Sequence, residues 1–184
     1  LYGIRAVTHI EEKRTVAQKA LSYIAPGFAS YFDSGTTVAE LAKLLPDEPM
    51  LIFTGNLSAA LELSRLQKPQ IYLIGGRLNV QSLCVSDSRN LDVLSAVNIN
   101  YAFFGATGYS EQRGFTCGTE EEYRLKKQII ARSDKVIVLM DSSKVGISAV
   151  YTYAAEEDVD LVISDGNLPP KVLERFQRTG VEVL

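Results

Sequence analysis

The 184-residue sequence contains no tryptophan, one histidine and two cysteines. Cys84 and Cys117 have neither metal-ligand spacing nor the pattern of a disulfide framework, which argues against a zinc module and a secreted cystine scaffold and fits a reducing cytoplasm. No apolar run approaches the roughly 18 residues that a membrane span needs, and no signal peptide opens the chain. We therefore expect a cytoplasmic protein without membrane association, metal or cofactor.

An excess of positive charge is also missing. Lysine and arginine total 19 and aspartate and glutamate total 22, giving a formal net charge of −3. Proteins that grip a phosphate backbone need a basic face, so we do not expect these residues alone to bind DNA. The length and the 46% hydrophobic content fit one globular domain. Because the first residue is Leu1 and not methionine, we expect a fragment that has lost an N-terminal piece.

Helix and strand signals alternate along the chain, and the strand runs are continuously apolar, as in strands buried on both faces of a parallel sheet. This pattern predicts an α/β fold, a single Rossmann-like domain with a mainly parallel sheet. The predicted helices are Glu11–Ala25, Val38–Leu45, Leu57–Leu66, Leu91–Val97, Thr119–Arg132 and Pro170–Arg178. The predicted strands are Phe28–Phe32, Met50–Phe53, Ile71–Ile74, Tyr101–Phe104, Lys135–Met140, Leu161–Ser164 and Val181–Leu184.

Ligands of such sheets bind beyond the carboxyl ends of the strands, so the turns after the strands are where a site is expected. All five of these turns are rich in glycine, serine, threonine or asparagine, or carry a charge. They are Asp33–Thr37, Thr54–Asn56, Gly75–Arg77, Gly105–Gly108 and Asp141–Lys144. Together they predict a polar pocket floored by backbone amides.

The strongest local signal is Asp33–Thr37, between an apolar strand and an amphipathic helix. Free amides at a helix N-terminus and the helix dipole favour a bound phosphate. Gly35 permits close approach of the backbone, and Ser34, Thr36 and Thr37 add hydroxyl donors. An ordinary helix cap explains the same residue types. The turn is neither a Walker loop nor a dinucleotide fingerprint.

The five turns occur in the order seen in the C-terminal sensor domain of DeoR-family bacterial transcriptional regulators, which this sequence resembles. The resemblance extends from the helix containing Glu11–Arg14 to Gly180–Val183. The resemblance implies a fold similar to ribose-5-phosphate isomerases and CoA transferases. It also implies a phosphorylated sugar or related metabolite as effector, in a repressor of a sugar-metabolism operon. A winged helix-turn-helix domain normally comes first, so operator DNA would be bound only through that missing domain, with residues 1–10 a linker remnant. Such regulators act as homo-oligomers.

The chain departs from the family pattern in two turns. Thr54-Gly55-Asn56 stands where members have Thr-Asn, and Thr107 replaces a common acid, removing a charge-assisted acceptor for a sugar hydroxyl. The candidate effector-binding residues are Asp33, Ser34, Gly35, Thr36, Thr37, Asn56, Gly75, Gly76, Arg77, Gly105, Thr107, Gly108, Glu122, Lys126 and Lys144. No residue is assigned a catalytic or metal-binding role.

Simpler roles remain open for the charged candidates. Lys144 either faces the phosphate as a point charge or is a solvated loop lysine. Glu122 and Lys126, four residues apart on one helix, line the pocket or form a surface ion pair. Asp33 accepts from ligand hydroxyls or caps its turn, and Arg77 reaches an anion or lies on the surface.

Two function classes follow, a non-catalytic sensor and a phosphosugar isomerase. An isomerase needs a base within hydrogen-bond reach of its substrate. The single histidine, His9, lies in an N-terminal stretch where we expect an exposed bystander, and Glu122 is the one obvious base. The sensor interpretation is therefore favoured. Leu78–Ser88 and Val150–Ala155 are the candidate oligomer surfaces, because they are apolar without helical or strand period.

Overall fold

The computed structural model of the protein describes residues 2–86, 94 and 96–184. Its helices are α1 (Tyr2–Val7), α2 (Ile10–Ala20), α3 (Thr36–Leu44), α4 (Leu57–Leu63), α5 (Glu120–Ile130) and α6 (Pro170–Thr179). Its strands are β1 (Ala29–Phe32), β2 (Leu51–Thr54), β3 (Gln70–Leu73), β4 (Arg77–Asn79), β5 (Cys84–Ser86), β6 (Ile99–Gly105), β7 (Gly108–Ser110), β8 (Gly114–Cys117), β9 (Ser133–Leu139), β10 (Tyr151–Ala154), β11 (Leu161–Ile163) and β12 (Glu182–Val183). The predicted helix Leu91–Val97 lies largely outside the described residues.

Seven parallel strands form the central sheet, in the order β12-β11-β9-β6-β1-β2-β3. From β1 the chain first adds β2 and β3 on one side, and then returns to place β6 and β9 on the other. The strand order therefore reverses between β1 and β6, which is where ligands of open α/β sheets bind. The expected Rossmann-like domain with a mainly parallel sheet is confirmed.

Each face of the sheet carries its own hydrophobic core, because neighbouring residues on a strand point to opposite sides. Phe32 and Phe103 pack with the faces of α2, α3 and α4. Their neighbours Tyr31 and Phe104 pack on the other side, with α5, α6 and the antiparallel strands. The continuous apolar runs of the sequence reflect this burial on both faces.

Local sequence signals explain where the helices begin and end. The Thr119 hydroxyl caps α5 by accepting from the amide of Glu122 at 3.2 Å, and three glutamates occupy the first turn, where the helix dipole favours negative charge. Pro170 opens α6, and Gly180 ends it in the left-handed conformation (φ 83°). Among the described residues, no helix has the length and apolar character to cross a bilayer.

Two small antiparallel sheets, β4-β5 and β10-β8-β7, were not anticipated. The described part of Leu78–Ser88 forms most of the β4-β5 hairpin, and Val150–Ala155 contains β10, although neither stretch has a strand period in the sequence. Strands of three or four residues, interrupted by a bulge in β10, are too short to show one. Residues 1–10, expected to be a linker, include helix α1.

Candidate functional site

A polar cleft lies at the carboxyl ends of β1 and β6, where the strand order reverses. Its cavity volume is about 80 Å³, enough for several water molecules or a small polar ligand. It is lined by Arg5, Lys13, Ser34, Gly35, Thr36, Thr37, Ser82, Gly105, Ala106, Thr107, Cys117, Glu122, Lys126, Leu139 and Lys144. Nine of the predicted site residues are in this lining, brought together from three of the five turns and helix α5.

The N-terminus of α3 faces the cleft without a capping side chain. Gly35 is the N-cap residue, and its backbone (φ 127°, ψ 158°) is one that side-chain-bearing residues rarely adopt. No side chain bonds to the first-turn amides from the cap position, and amides in the first turn have no partner within the helix. Ser34, Thr36 and Thr37 line the cleft beside them. This turn therefore presents hydrogen-bond donors and the positive end of the helix dipole to a ligand.

A buried ion pair lies beneath this turn. Asp33 Oδ2 accepts from Lys126 Nζ and from the amide of Gly105 at 2.9 Å, and both charged side chains are only 3% exposed. Lys126 also donates to the carbonyl of Gly105 at 3.0 Å. Asp33 thus joins the turns after β1 and β6. Of the two alternatives left open for Glu122 and Lys126, the surface ion pair is wrong, because Lys126 points inward to Asp33.

Aromatic rings enclose the ammonium of Lys126. It lies 4.5 Å from the centre of the Tyr153 ring and 5.4 Å from that of Phe104. The Tyr153 hydroxyl donates to the Gly105 carbonyl at 3.2 Å, and burial raises the pKa of Tyr153 well above its ordinary value, so it stays protonated. Lys126 is consequently fixed in position, with Asp33 compensating its charge.

The turn after β6 approaches the turn after β1 too closely for a side chain. A Cβ on Gly105 would lie 2.9 Å from the carbonyl oxygen of Ser34. Gly105 therefore lets the two turns form one continuous floor. Thr107 is exposed at the edge of this floor.

Positive charge predominates in the cleft, since Arg5, Lys13, Lys126 and Lys144 line it against the single carboxylate of Glu122. Sequence reasoning missed Arg5 and Lys13. For Lys13 a signal existed: it shares the buried face of α2 with Val16, Ala17 and Ala20, at the spacing of an apolar stripe. A lysine at a core-facing position indicates a charge that needs a partner.

Other predicted site residues lie outside the lining. Asn56 supports it from below: its amide nitrogen donates to the carbonyls of Asp33 (3.1 Å) and Gly35 (3.0 Å), and its side-chain oxygen accepts from the amide of Ala59 (3.1 Å). Arg77 pairs with Glu121 at 3.1 Å in solvent. Gly75 and Gly76 are exposed, and Gly108 packs against the backbone of Ile147.

Two buried polar atoms near the cleft lack a hydrogen-bond partner within the described part of the chain, Ser82 Oγ and Asp141 Oδ2. Ser82 lines the cleft itself, and Asp141 opens the turn that carries Lys144. Buried polar groups are ordinarily paired, so unpaired ones here suit a ligand rich in hydroxyls. Among the described residues, no group of three or more histidine, cysteine, aspartate or glutamate side chains is placed to hold a metal ion.

Comparison with known families matches residues 8–166 to the family model described as the DeoR C terminal sensor domain. The chain belongs to this family. The sensor domain is 34% identical, over 184 residues, to the HTH-type transcriptional repressor GlcR of Bacillus subtilis, covering 100% of this chain and 70% of that protein. It is 30% identical to the HTH-type transcriptional regulator GlpR of Haloferax volcanii, and the match covers 100% of this chain and 72% of that protein. These relatives are named as regulators and repressors, not enzymes, so the non-catalytic interpretation is confirmed.

Solved structures share the fold of the DeoR sensor domain at low identity. Ribose 5-phosphate isomerase A from Methanocaldococcus jannaschii has a TM-score of 0.55 and 16% identity, over 75% of this chain and 55% of that one. A chain of the tetrameric eIF2B-beta2-delta2 complex from C. thermophilum has a TM-score of 0.63 and 13% identity, and the match covers 90% of this chain and 58% of that one. The expected likeness to ribose-5-phosphate isomerase folds is confirmed.

Proposed function

We propose that the cleft binds a phosphorylated sugar, and that this effector controls DNA binding by a regulator whose N-terminal domain contacts the operator. The observation that carries the proposal is the uncapped N-terminus of α3 within a cleft lined by four cationic side chains. Amides, hydroxyls and ammonium groups at one place are the donors that phosphate recognition uses. A relative from Escherichia coli, 29% identical over 92% of this chain and 68% of its own length, is named the glycerol-3-phosphate regulon repressor, after a phosphate ester.

The charge balance of the cleft fits a phosphate monoester. Lys126 is compensated by Asp33. The remaining cations, Arg5, Lys13 and Lys144, share the lining with one carboxylate, that of Glu122, so the lining residues carry an excess of two positive charges, which the Asp141 carboxylate near Lys13 partly offsets. A phosphate monoester carries about −1.5 to −2 at pH 7. An unphosphorylated sugar leaves this excess uncompensated.

The proposed control of DNA binding is a population shift. An effector changes operator affinity only through its different affinities for two conformations of the regulator. We include a homo-oligomer in the proposal, because half-sites of an operator mirror the two-fold symmetry of the protein that reads them.

A thermal-shift panel tests the proposed ligand class. The panel contains ribose 5-phosphate, fructose 6-phosphate, glucose 6-phosphate and glycerol 3-phosphate, each beside its unphosphorylated counterpart. A ligand at a hundred times its dissociation constant stabilises the folded state by about 2.7 kcal/mol. For a domain of this size that is roughly 5–11 °C in melting temperature. We expect such a shift with at least one ester and not with its counterpart; equal shifts for both members of every pair contradict the proposal.

A further inference from the structure

The N-terminal helices contribute two cations to the cleft. Arg5 on α1 and Lys13 on α2 line it together with Lys144, which follows β9. Lys13 is the most enclosed of the three, with 2% of its surface exposed. Like charges that converge in a partly enclosed space repel each other, and an anion between them removes that repulsion.

Lys13 also holds helix α1. Its ammonium donates to the carbonyl of Thr8 at 2.7 Å and to the carbonyl of Arg5. These are carbonyls at the C-terminal end of α1, where no helical partner is available. The helix buries none of its residues, and six residues do not form a stable helix alone. One buried ammonium therefore joins α1 to the cleft.

The surroundings of Lys13 disfavour its charge. Burial lowers its pKa, the charges of Lys144 and Arg5 lower it further, and those of Asp141 and Glu40 oppose them. An anion placed beside these side chains favours the charged ammonium and so strengthens its bonds to the α1 carbonyls. Binding at the cleft and the attachment of α1 thus depend on the same group.

We propose that Arg5, Lys13 and Lys144 form an anion subsite for the effector's phosphate, and that occupying this subsite fixes α1 against the domain. The inference rests on the proposed function, that the cleft binds a phosphorylated sugar. Because linkage is reciprocal, any contact that holds α1 in place raises effector affinity by the same factor. Helix α1 is then the part of the chain that reports occupancy of the cleft to whatever it is attached to.

Hydrogen exchange and calorimetry test the proposal on wild type and two lysine variants. The ligand is the ester that gives the largest shift in the panel, with inorganic phosphate as the minimal anion. Lys13→Met removes the charge but keeps an unbranched chain for the α2 packing. Lys19→Met is the matched control: Lys19 lies half-buried on the same helix and donates to the carbonyl of Ser164 at 2.8 Å, and neither residue lines the cleft. Melting temperatures establish that each variant is folded.

In wild type and in Lys19→Met, we expect the ester to slow amide exchange across residues 2–8 by roughly tenfold or more. In Lys13→Met, we expect the dissociation constant to rise roughly tenfold or more and the slowing to disappear. If Lys13→Met does not fold, Arg5→Gln on α1 replaces it, and we expect a smaller rise in the dissociation constant for the ester.

Two failures are distinguishable. If no ester binds wild type, the proposed function itself fails, and this inference with it. If an ester binds wild type but exchange in α1 does not change, or the Lys13 or Arg5 variant binds it as tightly as wild type does, the anion subsite is overturned while the effector site stands. Equal losses in Lys13→Met and Lys19→Met also overturn it.

Discussion

The buried Asp33–Lys126 pair makes a sharp prediction about stability. Lys126→Met leaves the Asp33 carboxylate with its Gly105 amide bond but without a counter-charge, in a site where both side chains are 3% exposed. Removing one partner of a buried pair costs about 3–5 kcal/mol, because a charge is then buried uncompensated. Domains of this kind are stabilised by only about 5–15 kcal/mol in total. We therefore expect the melting temperature to fall by roughly 6–20 °C.

The same helix provides a matched control. Arg124 makes an ion pair with Glu120 at 2.6 Å, and both side chains are more than half exposed. Exposed pairs contribute little because solvent screens them, so Arg124→Met is expected to leave stability nearly unchanged. Since the chain has no tryptophan, far-UV circular dichroism is the suitable probe of urea unfolding for both variants.

A double variant separates charge burial from lost packing. In Asp33→Asn/Lys126→Met neither charge of this pair remains, so part of the lost stability should return. Two results would refute the reasoning. One is an equal unfolding midpoint for Lys126→Met and Arg124→Met, and the other is a double variant whose loss of stability equals the sum of the losses in Asp33→Asn and in Lys126→Met. Either would mean that Asp33 and Lys126 do not depend on each other for their burial.

Two further predictions concern the cleft and its surroundings. Lys144→Ala is expected to weaken effector binding in calorimetry roughly ten- to a hundredfold, which corresponds to about 1.5–3 kcal/mol for a lost charged hydrogen bond. Gly35→Val is expected to weaken it more, because the backbone at position 35 (φ 127°) is one that valine rarely adopts. Unchanged affinity in both variants would place the site elsewhere. Burial raises the pKa of Cys84 and of Cys117 to about 12, so roughly one thiol in ten thousand is ionised at pH 8. Disulfide reagents are therefore expected to react with these thiols only after unfolding in urea, and rapid labelling of the folded protein would contradict this prediction.

The parallel sheet was predictable because its signals are local. Continuous apolar strands, polar turns after them and helices with apolar stripes each appear within a few residues of sequence. The antiparallel additions were not, since strands as short as Arg77–Asn79 and Cys84–Ser86 are defined by their pairing partners and not by their own pattern. Helix α2 ends at Ala20, earlier than the predicted Ala25, because the chain continues through Leu21–Tyr23 as a tighter 3₁₀ turn.

The candidate site was predicted at the level of turns but not of individual contacts. Asp33, Asn56 and Ser34 have side chains that suit ligand binding equally well in sequence. The structure shows that Asp33 and Asn56 are used internally, holding the turns together, while Ser34 lines the cleft. Which polar group faces inward depends on a partner distant in the chain, here Lys126 and Gly105, and no local pattern contains that information.

The strand order explains why cations from distant parts of the chain meet at one point. Strand β9 lies beside β6, so the turn that carries Lys144 ends next to the reversal of the sheet. Helix α2 packs with the core on the α3 side of the sheet through Val16 and Ala17, and the same face carries Lys13 towards the cleft. Lys13 and Lys144 are thus placed by the packing of α2 and β9 in the core, independently of any ligand. An anion that neutralises the cations of the cleft therefore acts on two segments whose positions the core has already fixed, and on α1, which buries no residue and is held to the cleft through Lys13.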